Sequence, residues 1–556
     1  MDKNTIWAIV LCGVVVFAAL FVESTFILPK QQARAAEQAA IEAEYEEQRA
    51  LEQSESASLI STVSSEFSES ESTESVIEET EEFFTVKTNK AEVKFTNRGG
   101  DVVSYKLLEH LDHDTGMGVE MVDNVTSANR AFSIALGDYY ASPVDDIFKV
   151  KVFDDKTIGF YRDYYITDAE GQQQKIILSK LYTFMDDEYT FKLDIGVESE
   201  KGLNFDGVAY TLRTSPQIGP HYDKKANRYE VRDYISLSGS KKTRKNFSDK
   251  SYTKYYDWAG VAGKYFAIIV KPADTAKMDS TVRCSTKSEN DYQNAQVFVT
   301  RDEFSSKSVS DTYYIYVGPR SERDLIRYNS ADKNGWELVN SKFNQALRTS
   351  GILSIIEVAI KWCLEMIYKL VRNYGVSIIL LTLILKIVLF PLNKKSAEGS
   401  IKMQELQPKM QALQDKYGND QQKLSEETQK LYKEAGYNPA SGCLPMILQM
   451  IILFAMYNVF NNYFDFRGVT FIPGWIDDLT AGDSVYSWEK EIPVISSFTQ
   501  NNIRILPFVY LASQLLNGMI TQYGGASAGQ NKGQMWFMMY GMPILFFFIL
   551  TMFLVD

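Results

Sequence analysis

A lysine sits inside the apolar run "LTLILKIVLFPLNKK", residues 381–395. A charge near the centre of a bilayer costs roughly 2.5–3.5 kcal/mol even on the mildest insertion scale, so Lys386 calls for a watery recess, a protein interior or a membrane edge within reach. Asn393, seven residues on, marks the end of the run. At ~1.5 Å of rise per residue Lys386 then lies about 10 Å from that edge, a depth from which an ammonium group can snorkel along its own apolar stem. Thr382 stands one helical turn earlier on the same face. Other apolar runs contribute Gln449, Gln514 and Asn517, amides that both donate and accept hydrogen bonds. Two readings follow. Separate amides serve as glue between helices while Lys386 snorkels, or several at one depth line a wet recess around the lysine. Both are non-covalent. No nucleophile–base pair stands out, and no glycine-rich loop followed by Lys and Ser/Thr is present to hold a nucleotide. No cofactor or metal is expected, and the chain is not expected to be an enzyme.

These side chains need helices of membrane length. Apolar segments at 373–393, 443–464, 503–523 and 535–556 each approach the ~20 residues that span a bilayer. A further run, "IWAIVLCGVVVFAALFV" at 6–22, lacks a nearby small-x-small cleavage site and reads as an uncleaved signal anchor within residues 1–29. Segment 394–442 holds eight lysines, whereas 465–502 has only Arg467 and Lys490 as basic residues. The positive-inside rule puts the first in the cytoplasm and the second outside. A short cytoplasmic loop is then expected at 524–534, and the polar residues above fall in the cytoplasmic half of their spans.

The cytoplasmic segment has its own pattern. Met403, Leu406, Met410, Leu413 and Tyr417 step by three and four, "YGND" at 417–420 interrupts, and Leu424, Thr428, Leu431 and Ala435 resume. The pattern predicts an antiparallel helical hairpin over 394–442. Its lysines recur every seven residues from Lys395 to Lys430, as a solvated face or as a contact for anionic lipid heads or ribosomal RNA. Glu357, Lys361, Glu365 and Lys369, four residues apart, predict i,i+4 pairs along an amphipathic helix lying in the membrane interface, assigned to 336–372.

The exported part divides in two. Residues 31–84 contain 15 Glu and 2 Arg, which equals the net charge of −13 of the whole chain. Residues 30–84 therefore read as a self-repelling, disordered linker, and the acidity says nothing about a ligand. Over 85–335, period-two alternation broken by Gly, Asn and Asp predicts an antiparallel β-sandwich. Four cysteines make no disulfide framework. His110 and His113 in "EHLDHD" suit either a metal site or, more simply, a solvated loop, and no ligand is assigned to them.

The segment "LILKIVLFPLNKKSAEGSIKMQELQPKMQALQDKYGNDQQKLSEETQKLYKEAGYNPASGCLPMILQM" resembles the helix–hairpin–helix unit of the YidC-type membrane protein insertases, with "FPL", "LQPK", "LYK" and "NPASGCLP" in order. "TNRGGDVVSYKLL", "DWAGVAGKYFAIIVKP" and "YIYVGPRSERDLI" extend the resemblance through the exported part. The resemblance implies an α-helical polytopic core in the bacterial inner membrane, with residues 30–350 in the periplasm. It implies a hydrophilic groove open to the cytoplasm, in which Lys386 matches a family arginine; this agrees with the wet recess that Thr382, Gln449, Gln514 and Asn517 would line around it. It also implies one more spanning helix than the chain holds before Asp556, and so an expectation of truncation. Implied partners are nascent membrane proteins, the Sec translocon with its accessory proteins, a ribosome or targeting receptor at the hairpin, and the lipid bilayer. The rivals are a membrane-anchored periplasmic receptor and a small-anion transporter; the latter should show paired broken helices or internal repeats.

Overall fold

The computed structural model describes residues 80–553, except 113–114, 168–172, 222–229, 254–255, 274–280, 289–292, 349–352, 437–438, 489–501 and 524–535. The expected signal anchor, the linker as far as residue 79, His113, the loop at 524–534 and Asp556 lie outside the described residues. The described chain divides into two compact units: the first runs to Leu347 apart from Glu230, and the second comprises Glu230 and the chain from Arg348.

The first unit is built on antiparallel sheets. Its nine-stranded sheet runs, in spatial order, Lys241–Asn246, Asp233–Ser238, Trp258–Ala262, Phe266–Pro272, Ser308–Pro319, Thr190–Ser199, Gln173–Thr183, Thr157–Thr167 and Lys149–Val152. One face is covered by two smaller sheets. The four-stranded sheet (Phe83–Lys87, Ala91–Thr96, Asp101–Leu111, Gly118–Glu120) places Phe95 4.9 Å from the ring of Tyr182. The five-stranded sheet (Lys250–Thr253, Thr281–Ser285, Gln296–Phe304, Leu203–Arg213, Ile134–Leu136) brings the Tyr210 hydroxyl 3.0 Å from that of Tyr313. Successive side chains of a strand point to opposite faces, so Tyr314 and Tyr316 serve the other face. There they meet Trp336, Tyr328 and Phe343, which follow the short helix α1, Glu322–Ile326. Covered on both sides, residues 311–319 of the central strand are buried without interruption.

The three segments that carry the exported part's resemblance make the fold. In "TNRGGDVVSYKLL", Gly99 and Gly100 have φ of +70° and +61°, and a Cβ on Gly100 would come within 2.7 Å of Phe160. That turn delivers Asp101 into the core. Its Oδ1 accepts from Lys180 Nζ at 2.6 Å and its Oδ2 from Arg130 Nε at 3.0 Å. Lys180, with Asp101 0% exposed, also donates to the carbonyl oxygens of Phe132 (2.9 Å) and Gly99 (3.2 Å). Burial pushes its ammonium pKa down and Asp101 opposes that push. Arg320 of "YIYVGPRSERDLI" is buried and joins two distant stretches. It donates at 2.8 Å both to Gly263 O of "DWAGVAGKYFAIIVKP" and to Ala346 O.

Some placements differ from the sequence expectations. Residues 336–347, assigned by pattern to the following helix, pack on the sheet instead: Trp336 Nε1 donates to Thr190 O at 2.8 Å, and Leu338 and Phe343 are fully buried. Aromatic anchoring to a sheet face leaves no periodicity for a sequence pattern to register. At the linker's end, Glu81 accepts from Thr96 Oγ1 at 2.6 Å and Phe83 opens a strand. His110 belongs to the strand Asp101–Leu111 and not to a solvated loop; its Nε2 lies 3.0 Å from the Tyr189 hydroxyl. Cys284 is buried with a free thiol whose pKa burial pushes up to about 12.

Replacing Asp101 by Asn leaves two cations buried beside a neutral amide. The expected cost is about 3–5 kcal/mol of the unit's stability. Cys284, silent toward thiol reagents while folded, reports the transition: in the full chain the denaturant midpoint for its labelling should fall sharply in Asp101→Asn. An unchanged midpoint would mean that the cluster is not stabilising.

Candidate functional site

The second unit is helical: α2 Ser354–Val371, α3 Tyr374–Tyr417, α4 Gln421–Glu434, α5 Pro439–Asn462, α6 Leu506–Tyr523 and α7 Met542–Phe553, the last preceded by a π turn at Phe537–Gly541. Helices α2, α3 and α5 pack around Ile360, Leu364, Leu381, Ala455 and Val459. A sharp corner joins α2 to α3. Arg372 ends α2 at φ 54°, Asn373 Oδ1 caps α3 by accepting from Val376 N at 3.1 Å, and the rings of Tyr368 and Tyr374 stack 3.8 Å apart across the bend. The corner is locked from outside: Asn373 Nδ2 donates to Phe471 O at 3.3 Å, and the Phe471 ring fills the space where a side chain at Gly375 would begin.

The charged stripe of α2 does not form the expected i,i+4 pairs. Glu357 is buried and accepts from Asn458 Nδ2 at 3.2 Å, and Glu365 accepts from the Tyr463 hydroxyl at 3.1 Å. A carboxylate buried next to an apolar core must find a donor, and α5 supplies Asn458 to Glu357; Tyr463, the residue after α5, serves the exposed Glu365. The outward face of α2 is instead apolar: Ile355, Val358, Trp362, Met366 and Leu370 are exposed, the two ends at 81% and 86%.

Tyr374–Lys394 is long and apolar enough to cross a membrane, while Ile447–Asn462 and Leu506–Ile520 are shorter apolar helices. On the first, Lys386 is exposed and forms no ion pair among the described residues. Thr382, half-buried, donates its hydroxyl to Ile379 O at 2.7 Å. Pro391 lies inside α3. Lacking an N–H, it leaves the Ile387 carbonyl without its usual intrahelical donor, directly beside Lys386. That acceptor was readable in "LFPL" but escapes a search for polar side chains. Register comes from the antiparallel packing of α3 on α5: Tyr374 faces Tyr463 at 6.1 Å between rings, and Leu381 shares a cluster with Ala455 and Val459. Continued along both helices, this register brings the exposed Gln449 to the level of Lys386. Gln514 (half-buried) and Asn517 (exposed) stand on α6, whose packing partner is α7, with the rings of Phe508 and Phe547 4.9 Å apart.

Helix α3 continues for 44 residues, so the apolar span and the first arm of the lysine-rich hairpin are one element. After the turn at 418–420, Asp420 Oδ1 caps α4 by accepting from Lys423 N at 3.1 Å, and the Tyr432 hydroxyl reaches Met410 Sδ at 3.3 Å to hold the arms together. Of the seven-spaced lysines, Lys430 pairs with Glu427 at 2.6 Å. On the opposite side, buried Asp483 accepts from the N–H groups of Ile505 (2.8 Å) and Leu506 (2.6 Å), capping α6 from across a loop. Among the described residues, no three His, Cys, Asp or Glu side chains gather as a metal site would need.

Comparison with known proteins identifies the family. The family described as 60Kd inner membrane protein matches residues 366–555, and that described as YidC periplasmic domain matches 84–347. A protein named membrane protein insertase YidC from Treponema denticola is 39% identical over 99% of this chain and 94% of its own length. One of the same name from Treponema pallidum is 37% identical over 86% and 82%. Among solved structures, a putative aldose 1-epimerase from Escherichia coli aligns with 43% of this chain and 100% of its own at 8% identity and a TM-score of 0.29.

The corner can be tested directly. Gly375→Ala should push Phe471 away and cost about 1–3 kcal/mol of helical-unit stability, read as a lowered midpoint of thermal aggregation in detergent. Adding Phe471→Ala should recover most of the loss. A double variant no better than Gly375→Ala would show that helix geometry, and not the ring, sets the requirement.

Proposed function

The chain belongs to the YidC family of membrane protein insertases, and from that premise we propose that it inserts nascent inner-membrane proteins through a polar recess open to the cytoplasm. The observation that carries the proposal is Lys386: an exposed cation on a helix of membrane length, level with Gln449 and beside a backbone carbonyl released by Pro391. Gln514 and Asn517 complete the recess from α6. The helical core is multi-pass, with the anchor at 6–22, spans on α3, α5, α6 and α7, and the α3–α4 hairpin in the cytoplasm. Its exposed apolar stripe suits α2 to the outer membrane interface.

Insertion then needs no covalent step. The polar segment of a substrate that must reach the periplasm enters the recess, where Lys386 offers a positive field to acidic side chains. Gln449, Gln514, Asn517 and the free carbonyl replace the hydrogen bonds of water, so only the outer half of the bilayer remains as a barrier. The substrate's apolar segment slides out into lipid, and its burial drives the step at roughly 25 cal/mol per Å²; the membrane potential can add to it. Lysine in place of the family arginine keeps the charge but gives up the planar, bidentate fork, which fits recognition of charge and not of one carboxylate geometry. The hairpin serves as the docking arm for a ribosome or targeting receptor, and the β unit as the contact for the Sec translocon and its accessory proteins.

The test is complementation of cells depleted of their own insertase. The natural chain and Lys386→Arg should restore insertion. Lys386→Ala and Lys386→Glu should lower its rate by about tenfold or more, the factor that ~1.4 kcal/mol commands. Equal rescue by all four would remove the charge from the mechanism. Failure of the natural and arginine forms, with protein present in the membrane, would overturn the insertase reading.

A further inference from the structure

The β unit ends its large sheet in an unusually basic strand. Lys241–Asn246, "KKTRKN", carries four cations in six residues and, among the described residues, pairs on one side only, with Asp233–Ser238. Edge strands are commonly blunted with lysine to prevent strand addition. The opposite edge, Lys149–Val152, shows that ordinary form, "KVKV". At the basic edge the charge is denser and continues onto the second sheet. Tyr234 of the nine-stranded sheet stacks on Tyr252 of the five-stranded sheet at 4.3 Å, Lys245 lies 5.7 Å over the Tyr252 ring, and Lys250 opens that sheet's own edge strand. The nearby acids are engaged: Asp233 holds Arg244 at 2.7 Å, and Asp249 accepts from Thr286 N and Oγ1. Lys241, Lys245 and Lys250 are exposed without an ion-pair partner among the described residues.

The same strand marks where the chain leaves the β unit. Lys242 Nζ donates to the carbonyl of Leu347, the unit's last residue, at 2.7 Å. Burial, then the neighbouring Arg244 and Arg320, push the Lys242 pKa down to about 8, as expected of a cation crowded by like charge. Seven residue steps later α2 begins at Ser354, at most about 25 Å of chain. We propose that this basic flank, with Lys241, Lys245 and Lys250 at its front, docks the β unit onto the anionic phospholipid surface of the membrane. The proposal rests on the reading that α2 lies in the outer interface. The chain's own acidic linker is the other anion within reach. It enters at Phe83, whose sheet covers Gln173–Thr183, six strand positions from the basic edge and so about 29 Å away. The exit to the membrane, by contrast, is held by the basic strand itself.

The experiment places the full chain in nanodiscs of phosphatidylcholine alone or mixed with phosphatidylglycerol, and reads acylation of each lysine by a membrane-impermeant amine reagent. With phosphatidylglycerol, Lys241, Lys245 and Lys250 should react roughly threefold or more slowly. About 1 M salt, which screens beyond ~3 Å, should abolish the protection. Lys149 and Lys151 should not change. Equal rates in both lipids overturn the proposal. So does protection that is the same without anionic lipid, or that vanishes when the linker's glutamates become glutamines, since a protein surface or the linker would then be the cover. Quenching of Trp362 by brominated lipid, taken as the signal lost in Trp362→Phe, reports α2 separately. Quenching with unprotected lysines refutes the docking alone, whereas absent quenching refutes the interfacial placement of α2 and the docking with it.

Discussion

An apolar medium supplies no hydrogen bonds, so each polar group carried into it must bring a partner or be left with a cost of several kcal/mol. The helical unit is organised by that rule. Glu357 and Glu365 are met by Asn458 and Tyr463, Asn373 satisfies the first turn of α3, and Asp483 crosses a loop to cap α6. Beside these partnered groups, Lys386 is exposed with no ion pair among the described residues, and Pro391 opens a backbone carbonyl next to it; these are the polar groups the proposed recess would use.

The β unit obeys the same rule by a different route. Two sets of core charges are closed by partners: Asp101 between Lys180 and Arg130, and Asp311 beside Arg301 at 3.0 Å and the Tyr210 hydroxyl at 2.8 Å. Such sets contribute little net stability over an apolar core, yet are costly to break. They pin the smaller sheets to the large one at single registers. The charges that remain open sit at a sheet edge, where water is the alternative partner and attraction to a surface costs little desolvation.

Much of this was legible in the residues. Alternation announced strands, and a lysine within an apolar run singled out Lys386, because both signals are local. The interruption at "YGND" likewise gave the turn between α3 and α4. What escaped depends on partners distant in sequence. The stripe from Glu357 to Lys369 looked self-sufficient, since nothing in its spacing says that Asn458 and Tyr463 lie opposite. Residues 336–347 have no period because they follow the relief of a sheet, and His110 looked loop-bound because Tyr189 is 79 residues away. The common level of Lys386 and Gln449 emerged only from the register that Tyr374 and Tyr463 impose. For Gln514 and Asn517, apolar context named the helix but not the neighbour.

The continuity of α3 has a mechanical consequence. One helix carries the apolar span at one end and the hairpin at the other, and its first turn is held at the corner of Asn373, Gly375 and Phe471. Turning as one rod about that corner, it would act as a lever, with Pro391 and Pro408 as the points where it can bend. Lys386 lies twelve residues from the start of α3 and Tyr417 forty-three, about 18 Å and 64 Å along the axis at ~1.5 Å per residue. A swing of the hairpin therefore reaches the lysine geared down to about a quarter of its amplitude. In the proposed mechanism, such gearing would turn large movements of the hairpin in the aqueous phase into small ones at the depth of Lys386.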